Sequence, residues 1–334
     1  MILYFGNQLS ERSTPTLYSK YFKEFGDVVV GSKYKNKIIR LLHMILILVV
    51  NAGKAKIVII ETYSTSAFYF AFSIAYLSDL FSIPFVPVLH GGETFKRIKT
   101  NPKLSDIIFR KSKINITPSK FIQAEFHKNG FKVDYIPNFI EIENYNFLER
   151  KKCGPMLLWV RAFHEIYNPL MAVKTFIEIS KLHPEARLCM VGPVLDSSFK
   201  ECEKLLAKCN LSNNVTFPGL MKRSDWLDMS GDYDIFLNTT NIESFGLSLI
   251  EAAACGLPLI TTSAGELKYL YKHRVDAMVV EKNDIKNMVS CTKEIIDDEH
   301  LANSLSKRGR EKSKKYTWNH VKPFWSHVIT STKV

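Results

Sequence analysis

Short, almost wholly apolar runs alternate with longer helix-forming runs along the chain, and this alternation restricts the fold more than any other feature. MILYF, DVVVG, KIVII and PFVPVLH in the first half, and MLLWVRAF, ARLCMVGP, NVTFPG, YDIFLNT, PLITT and AMVV in the second, are strand-like. Between them lie TLYSKYFKEF, IIRLLHMILILVV, AFYFAFSIAYLSDLF, NPLMAVKTFIEISKLH and FKECEKLLAKCN, whose lengths suit helices. Continuous apolar strands separated by helices predict a doubly wound parallel sheet covered on both faces. A chain of 334 residues exceeds one typical core and suits two such α/β domains, which implies a cleft between them. The polar stretch EIENYNFLERKKCGP, residues 141–155, is the expected boundary.

An apolar fraction of 46% with 23% charged residues argues against disorder. MILYFGNQLS has no basic n-region and turns at once, so it reads as a first strand rather than a signal peptide, and a cytoplasmic location is expected. The six cysteines lack Cys-x-x-Cys spacing and suit reduced core thiols. Residues 38–50, IIRLLHMILILVV, include Arg40 and His43 and are too short to span a bilayer. They read as a buried helix, with a membrane-surface helix as the alternative.

The net charge of +12 is uneven: residues 1–150 hold 20 Lys/Arg against 12 Asp/Glu, and residues 151–334 hold 25 against 21. The densest part is KRIKTNPKLSDIIFRKSKINITPSK, residues 96–120, where eight basic residues from Lys96 to Lys120 accompany only Asp106. A solvated face, an anionic membrane surface and a phosphorylated acceptor all fit this charge. No recognition-module signature accompanies it, so no nucleic acid partner is expected.

Ligands of open parallel sheets bind beyond the carboxyl ends of the strands, which directs attention to the loops there. In NTTNIESFGLSLIEAAACGLPLITT, residues 238–262, a strand passes through a loop into a helix. Glu243 stands just before that helix and Glu251 inside it, among Leu249, Ile250, Ala252, Ala253 and Ala254. A carboxylate in such surroundings needs hydrogen-bond donors or a cation, with ligand hydroxyls and Arg161 both suitable. The N–H groups near Ser244, Phe245 and Gly246 are expected to lack intrahelical partners and to form an anion site. Arg161 ends the apolar strand MLLWV, an expensive place for a guanidinium unless it meets an anion. His90 ends another apolar strand and is followed by Gly91 and Gly92, so it is read as functional.

Taken together, these features resemble the retaining glycosyltransferases of family 4. The most specific element is Glu-x7-Glu with ESFG and EAAACGLPLITT; HGGE, IPN, WVRAF, MVGP, FPG, YFGN and the tail YTWNHVKPFW accompany it. The resemblance implies a GT-B fold, two Rossmann-like parallel-sheet domains facing each other across a cleft. The first, residues 1–145, would be the acceptor side; the second, 152–312, would bind the nucleotide sugar; a helical tail, 313–334, would return to the first. It further implies that Glu243 faces the donor sugar, Glu251 holds ribose hydroxyls, the backbone at Ser244, Phe245 and Gly246 meets the diphosphate or the sugar, and Arg161 neutralises the diphosphate. His90 would touch the sugar, Gly219 and Leu220 would approach the base, and Gly6 would let the diphosphate lie close.

One departure is visible. The family commonly has a Lys followed by Gly shortly after the Arg, where this chain has Asn168 and Pro169, which read as a helix start. His164, Lys222 and Arg223 are the candidate replacements for the second phosphate cation. The implied activity is retaining transfer of a hexose-type sugar from a nucleotide diphosphate sugar to a glycan or lipid-linked acceptor, in surface polysaccharide biosynthesis at the inner membrane face. A sugar-nucleotide epimerase of the same fold and a catalytically silent sugar-nucleotide binder are the alternatives. No metal and no cofactor are expected. Asp232 and Asp234 match an Asp-x-Asp metal motif, but Asp234 starts a buried strand and so lies at its amino end, away from the ligand side.

Overall fold

The computed structural model describes residues 1–6 and 14–331. Gly6 is included, whereas the rest of the loop that follows it, residues 7–13, lies outside the described residues. The chain divides into two compact units: Met1–Phe139 with Trp318–Val334, and Ile140–Thr317.

In the first unit β1 (Ile2–Phe5), β2 (Val28–Val30), β3 (Ile57–Thr62), β4 (Phe85–Leu89), β5 (Ile116–Thr117) and β6 (Asp134–Tyr135) form a parallel sheet in the order β2-β1-β3-β4-β5-β6. β1, β3, β4 and β5 are buried throughout. Both faces are covered, and so the strands carry apolar runs rather than apolar residues at alternate positions, with Glu61, Thr62 and Thr117 at the carboxyl ends of β3 and β5. One face packs Leu3, Val58, Ile60 and Leu89 with Phe68 and Phe109; the other packs Tyr4, Ile57, Ile59 and Val86 with Tyr18 and Phe22. The helix Trp318–Thr330 completes this second layer with Trp318, Val321, Trp325 and Val328. Trp325 lies edge-on to Phe22 with ring centroids 4.9 Å apart, and Lys113 Nζ donates to the carbonyls of Val328 (3.0 Å) and Ser331 (2.5 Å).

The second unit repeats the scheme with β7 (Met156–Val160), β8 (Arg187–Val191), β9 (Val215–Gly219), β10 (Ile235–Asn238), β11 (Leu259–Thr262) and β12 (Met278–Val280). Their order is β12-β11-β10-β7-β8-β9, again all parallel. Asn168 caps the helix Pro169–Leu182 by accepting from the Met171 amide, with Pro169 in its first turn, as the Asn-Pro pair predicts. Both units are thus Rossmann-like.

Three expectations are corrected. The boundary lies at 139/140 rather than within 141–155, because that polar stretch is built into the second unit. Tyr145 is buried there, and the buried Arg150 guanidinium donates to the carbonyls of Leu148, Ser230, Tyr233 and Cys255. Residues 313–317 belong to the same unit: Ser313 Oγ donates to the Ile250 carbonyl, and the Ile140 amide to that of Tyr316. Residues 38–50 are not a buried helix either. Only Met44 and Leu48 of the helix Lys37–Asn51 are buried, and its opposite side is exposed. Among the described residues no helix is long and apolar enough to cross a membrane.

Candidate active site

The order of the second sheet reverses direction between β7 and β10, and this switch point is where an open α/β sheet binds ligands beyond its strand ends. Arg161 follows β7 and Glu243 follows β10, so two residues 82 apart in sequence meet there. Arg161 Nη2 pairs with Glu243 Oε2, and the guanidinium also lies over the Tyr167 ring, 5.6 Å from its centroid. Backbone contacts set both residues. The Arg161 amide donates to the Val191 carbonyl, and a Cβ on Gly192, whose φ is +154°, would fall 1.7 Å from the Arg161 oxygen. The Glu266 amide donates to the Glu243 carbonyl, and a Cβ on Gly265 would fall 2.2 Å from that oxygen. Buried hydroxyls hold the intervening loop: Trp159 Nε1 donates to Thr239 Oγ1, which donates to the Tyr167 carbonyl, and Thr262 Oγ1 donates to the Thr240 carbonyl.

The helix start differs from the sequence reading. The Ser244 and Phe245 amides do have partners, since both donate to Glu243 Oε1, at 3.1 and 3.3 Å. Gly246 is the N-cap, and the helix Leu247–Ala254 begins after it. A carboxylate thus already sits at the positive end of this helix dipole, which accounts for its burial beside Arg161. Arg161 Nε and Ser248 Oγ, by contrast, are buried without a hydrogen-bond partner among the described residues. Such orphaned groups are costly, and ligand oxygens would satisfy them. Ser248 was not singled out from the sequence; its place in the first helical turn is the signal that marks it.

Glu251 points into a second ion pair. Its Oε1 lies 2.5 Å from Arg223 Nη2 and accepts from the Tyr145 hydroxyl at 3.3 Å. Arg223 also contacts that hydroxyl and lies over the Tyr145 ring. Burial pushes the Glu251 carboxyl up to about 7, opposed by the charges of Arg223 and Arg161. Arg223, one of the three candidate phosphate cations, is therefore engaged with Glu251. His164 Nδ1 accepts from the Ile166 amide at 3.1 Å and stands 4.0 Å from Asp196, while Lys222 is exposed at the start of the helix Arg223–Met229. Gly219 ends β9 and accepts from the Gly192 amide, and Leu220 beside it is exposed. Asp234 lies at the amino end of β10, the end opposite Glu243, where its carboxylate accepts from the Met156 amide.

In the first unit His90 follows β4 and is buried, with Nε2 against Glu61 Oε2 and the ring stacked on Tyr63 at 5.1 Å. The Tyr4 hydroxyl donates to the other Glu61 oxygen, and burial with the nearby carboxylate pushes that phenol well above its ordinary value. Glu61 is the functional candidate that sequence reading missed, although it ends the apolar run KIVII much as Arg161 ends MLLWV. It also lines a cavity of about 250 Å³ with Gly6, Lys37, Arg40, Tyr63 and Phe70. That cavity lies at the first sheet's own switch point, between β1 and β3.

The basic stretch 96–120 is partly neutralised from within. Lys96 pairs with Glu93, Arg110 with Asp106 and Lys111 with Asp79. Arg97 donates to the Ser64 carbonyl and to Asn101, and lies over the rings of Phe68 and Tyr69.

With this geometry in place, comparison with known proteins gives three findings. A family model described as "Glycosyl transferases group 1" matches residues 142–312, half of the chain. Among curated proteins, sucrose-phosphate synthase 1 of Arabidopsis thaliana is 28% identical over 209 residues, covering 58% of this chain and 20% of its own. N-acetyl-alpha-D-glucosaminyl L-malate synthase of Bacillus anthracis is 25% identical over 197 residues, covering 59% and 50%. The chain thus spans between a fifth and a half of these relatives' lengths. Among solved structures, Anabaena HepE in complex with UDP and glucose superposes with a TM-score of 0.80 at 16% identity, over 98% of this chain and 99% of that one. That likeness shows the shared fold of two Rossmann-like domains.

Proposed function

The chain belongs to the group 1 glycosyl transferases, and we propose that it is a retaining, metal-independent enzyme that moves a hexose-type sugar from a nucleotide diphosphate sugar to a glycan or lipid-linked acceptor in surface polysaccharide biosynthesis. The observation that carries this reading is at the second sheet's switch point, where Arg161 pairs with Glu243 yet keeps an unsatisfied Nε, and the helix that follows Glu243 holds Ser248 with an unsatisfied Oγ in its first turn. The neighbour that holds UDP and glucose supports a nucleotide sugar as donor.

In the transfer the bond from the anomeric carbon to the diphosphate oxygen breaks, and a bond to the acceptor oxygen forms on the same face. The acceptor proton passes to the departing phosphate. Negative charge grows on the diphosphate as the sugar becomes oxocarbenium-like. Arg161, with its unsatisfied Nε, and the Ser248 hydroxyl are preplaced donors of the required sign, and such preorganised groups contribute several kcal/mol. Glu243 orients the sugar hydroxyls and Glu251 accepts from the ribose; His90, its Nε2 against Glu61, is the first unit's candidate for a sugar contact. Asn168 supplies no second cation; the exposed Lys222 is the free candidate for that place.

Incubation with uridine, guanosine and adenosine diphosphate sugars in EDTA, followed by NMR of the products, tests this reading. The expected outcome is slow release of one nucleoside diphosphate and a free sugar whose anomeric configuration is retained. A new isomer of the intact nucleotide sugar would sink the transferase assignment. Activity lost to EDTA and restored by Mg²⁺ or Mn²⁺ would sink metal independence.

A further inference from the structure

We propose that the outer face of the helix Lys37–Asn51 docks on an anionic lipid bilayer. Six large apolar side chains are exposed on this one helix: Ile38 (72%), Ile39, Leu42 (61%), Leu46 (57%), Val49 and Val50 (70%). At 100° per residue they fall within about 120° of arc, opposite the buried Met44 and Leu48. The neighbouring helix Ala67–Leu80, which packs beside it, adds exposed Tyr69, Tyr76 and Leu80 on a stripe of its own. A contiguous exposed apolar face of this kind calls for an occupant.

The charge around the face identifies the occupant. No acidic residue occurs between Asp27 and Glu61, whereas Lys33 and Lys35 precede the helix and Lys54 and Lys56 follow it. Asn36 caps the helix, and its first turn holds no acid but two cations, against the preference of the helix dipole for negative charge there. Arg40 Nε donates to the Tyr34 carbonyl at 2.6 Å and its Nη2 to that of Lys35 at 3.1 Å, which ties the Lys33–Lys35 turn to the helix start. An apolar stripe with lysines before and after it and no acid in the segment matches the boundary between acyl chains and anionic headgroups. A second copy of the chain fits less well, because an isologous contact would set the same cations against one another.

The inner side of the same helix turns Lys37, Arg40 and Met44 towards the cavity that holds Glu61. The inference therefore deepens the proposed function, in which the first unit is the acceptor side, by placing a cavity of that unit next to the lipid surface, yet its test does not depend on turnover. Full-length protein is floated with phosphatidylcholine vesicles with and without phosphatidylglycerol. Binding to the anionic vesicles is expected, weakened by added salt. It should fall at least about tenfold in Leu42→Glu/Leu46→Glu, and again in Lys33→Glu/Lys35→Glu, whose exposed positions outside the helix spare the fold. Nucleotide-sugar hydrolysis in vesicle-free buffer should stay unchanged in both variants. The idea is overturned if neither vesicle type binds the wild type, or if both variants float as it does. It is also overturned if light scattering shows a dimer that Leu42→Glu/Leu46→Glu dissolves while vesicles bind neither protein. Vesicle binding without any hydrolysis would uphold this surface and count against the transferase reading alone.

Discussion

Glu243 and Glu251 lie on one short loop-helix segment, yet their partners differ: Glu243 pairs with Arg161 and two backbone amides, Glu251 with Arg223 and Tyr145. Their substitutions should separate accordingly. Glu243→Gln should lower turnover by at least about a hundredfold while sparing nucleoside diphosphate affinity, since the loss of a transition-state contact appears in kcat. Glu251→Gln should weaken nucleotide binding by roughly ten- to a hundredfold, the usual worth of hydrogen bonds to a charged group. Equal effects of the two on kcat and on Kd would refute the division of roles. The Glu251 carboxyl also sets a pH dependence. Burial raises it from the ordinary 4.5 to about 7, so its contribution to stability is present below 4.5 and is lost as the pH rises through 7. Binding has the opposite sign, because ribose hydroxyls need the ionised acceptor. Affinity for an intact nucleotide sugar, which has no terminal phosphate to titrate, should strengthen as the pH rises through about 7 and fall about tenfold per unit below it. Calorimetry should show that slope in the wild type and its absence in Glu251→Gln.

At the level of elements, the strand-loop-helix unit around Glu243 is legible because it is local: an apolar strand, polar loop residues and an apolar helix follow one another. The chain positions that complete the site are not local. Tyr145 lies 106 residues from Glu251 and reaches it from a stretch whose charge suggests a linker. Arg223 is readable only as one of three interchangeable cations, because nothing in its neighbourhood says which carboxylate it meets. Glu61 was available to the same reasoning that found Arg161, but without knowledge of strand order its nearness to His90 is hidden. The amides of Ser244 and Phe245 look open to an outside anion in sequence, because spacing cannot show the Glu243 side chain folding back onto its own backbone. Close packing between elements is equally invisible, and it supplies a test. Gly192→Ala would put a methyl 1.7 Å from the Arg161 oxygen at a φ that L residues rarely adopt. It should cost at least about 2 kcal/mol and displace Arg161, so nucleotide affinity should fall with it. Gly231→Ala, where no heavy atom lies within 4 Å, is the control and should change urea denaturation and affinity little.

For the whole molecule, the sequence conveys the repeat of two α/β units but not how the chain is divided between them. The path leaves the first unit at 139 and returns at 318, so the helix Trp318–Thr330 is a distant segment that belongs to the first core. Its aromatic residues carry that attachment: Trp325 packs against Tyr18 and Phe22, and Trp318 against Phe139. Each unit has its own sheet and its own buried layers, which breaks the condition for a single two-state transition. Two thermal transitions are therefore expected by calorimetry, and nucleotide should raise only the one that belongs to residues 140–317, since ligand stabilises the state that binds it. Trp325→Ala should lower the other: removal of a buried Trp costs about 3–5 kcal/mol, which for a unit of this size is a fall of roughly 10 °C. If one cooperative transition carried both shifts, or if Trp325→Ala abolished the nucleotide-dependent rise, the two units would not be independent folding bodies, and the return of the chain to the first core would have to stabilise the second as well.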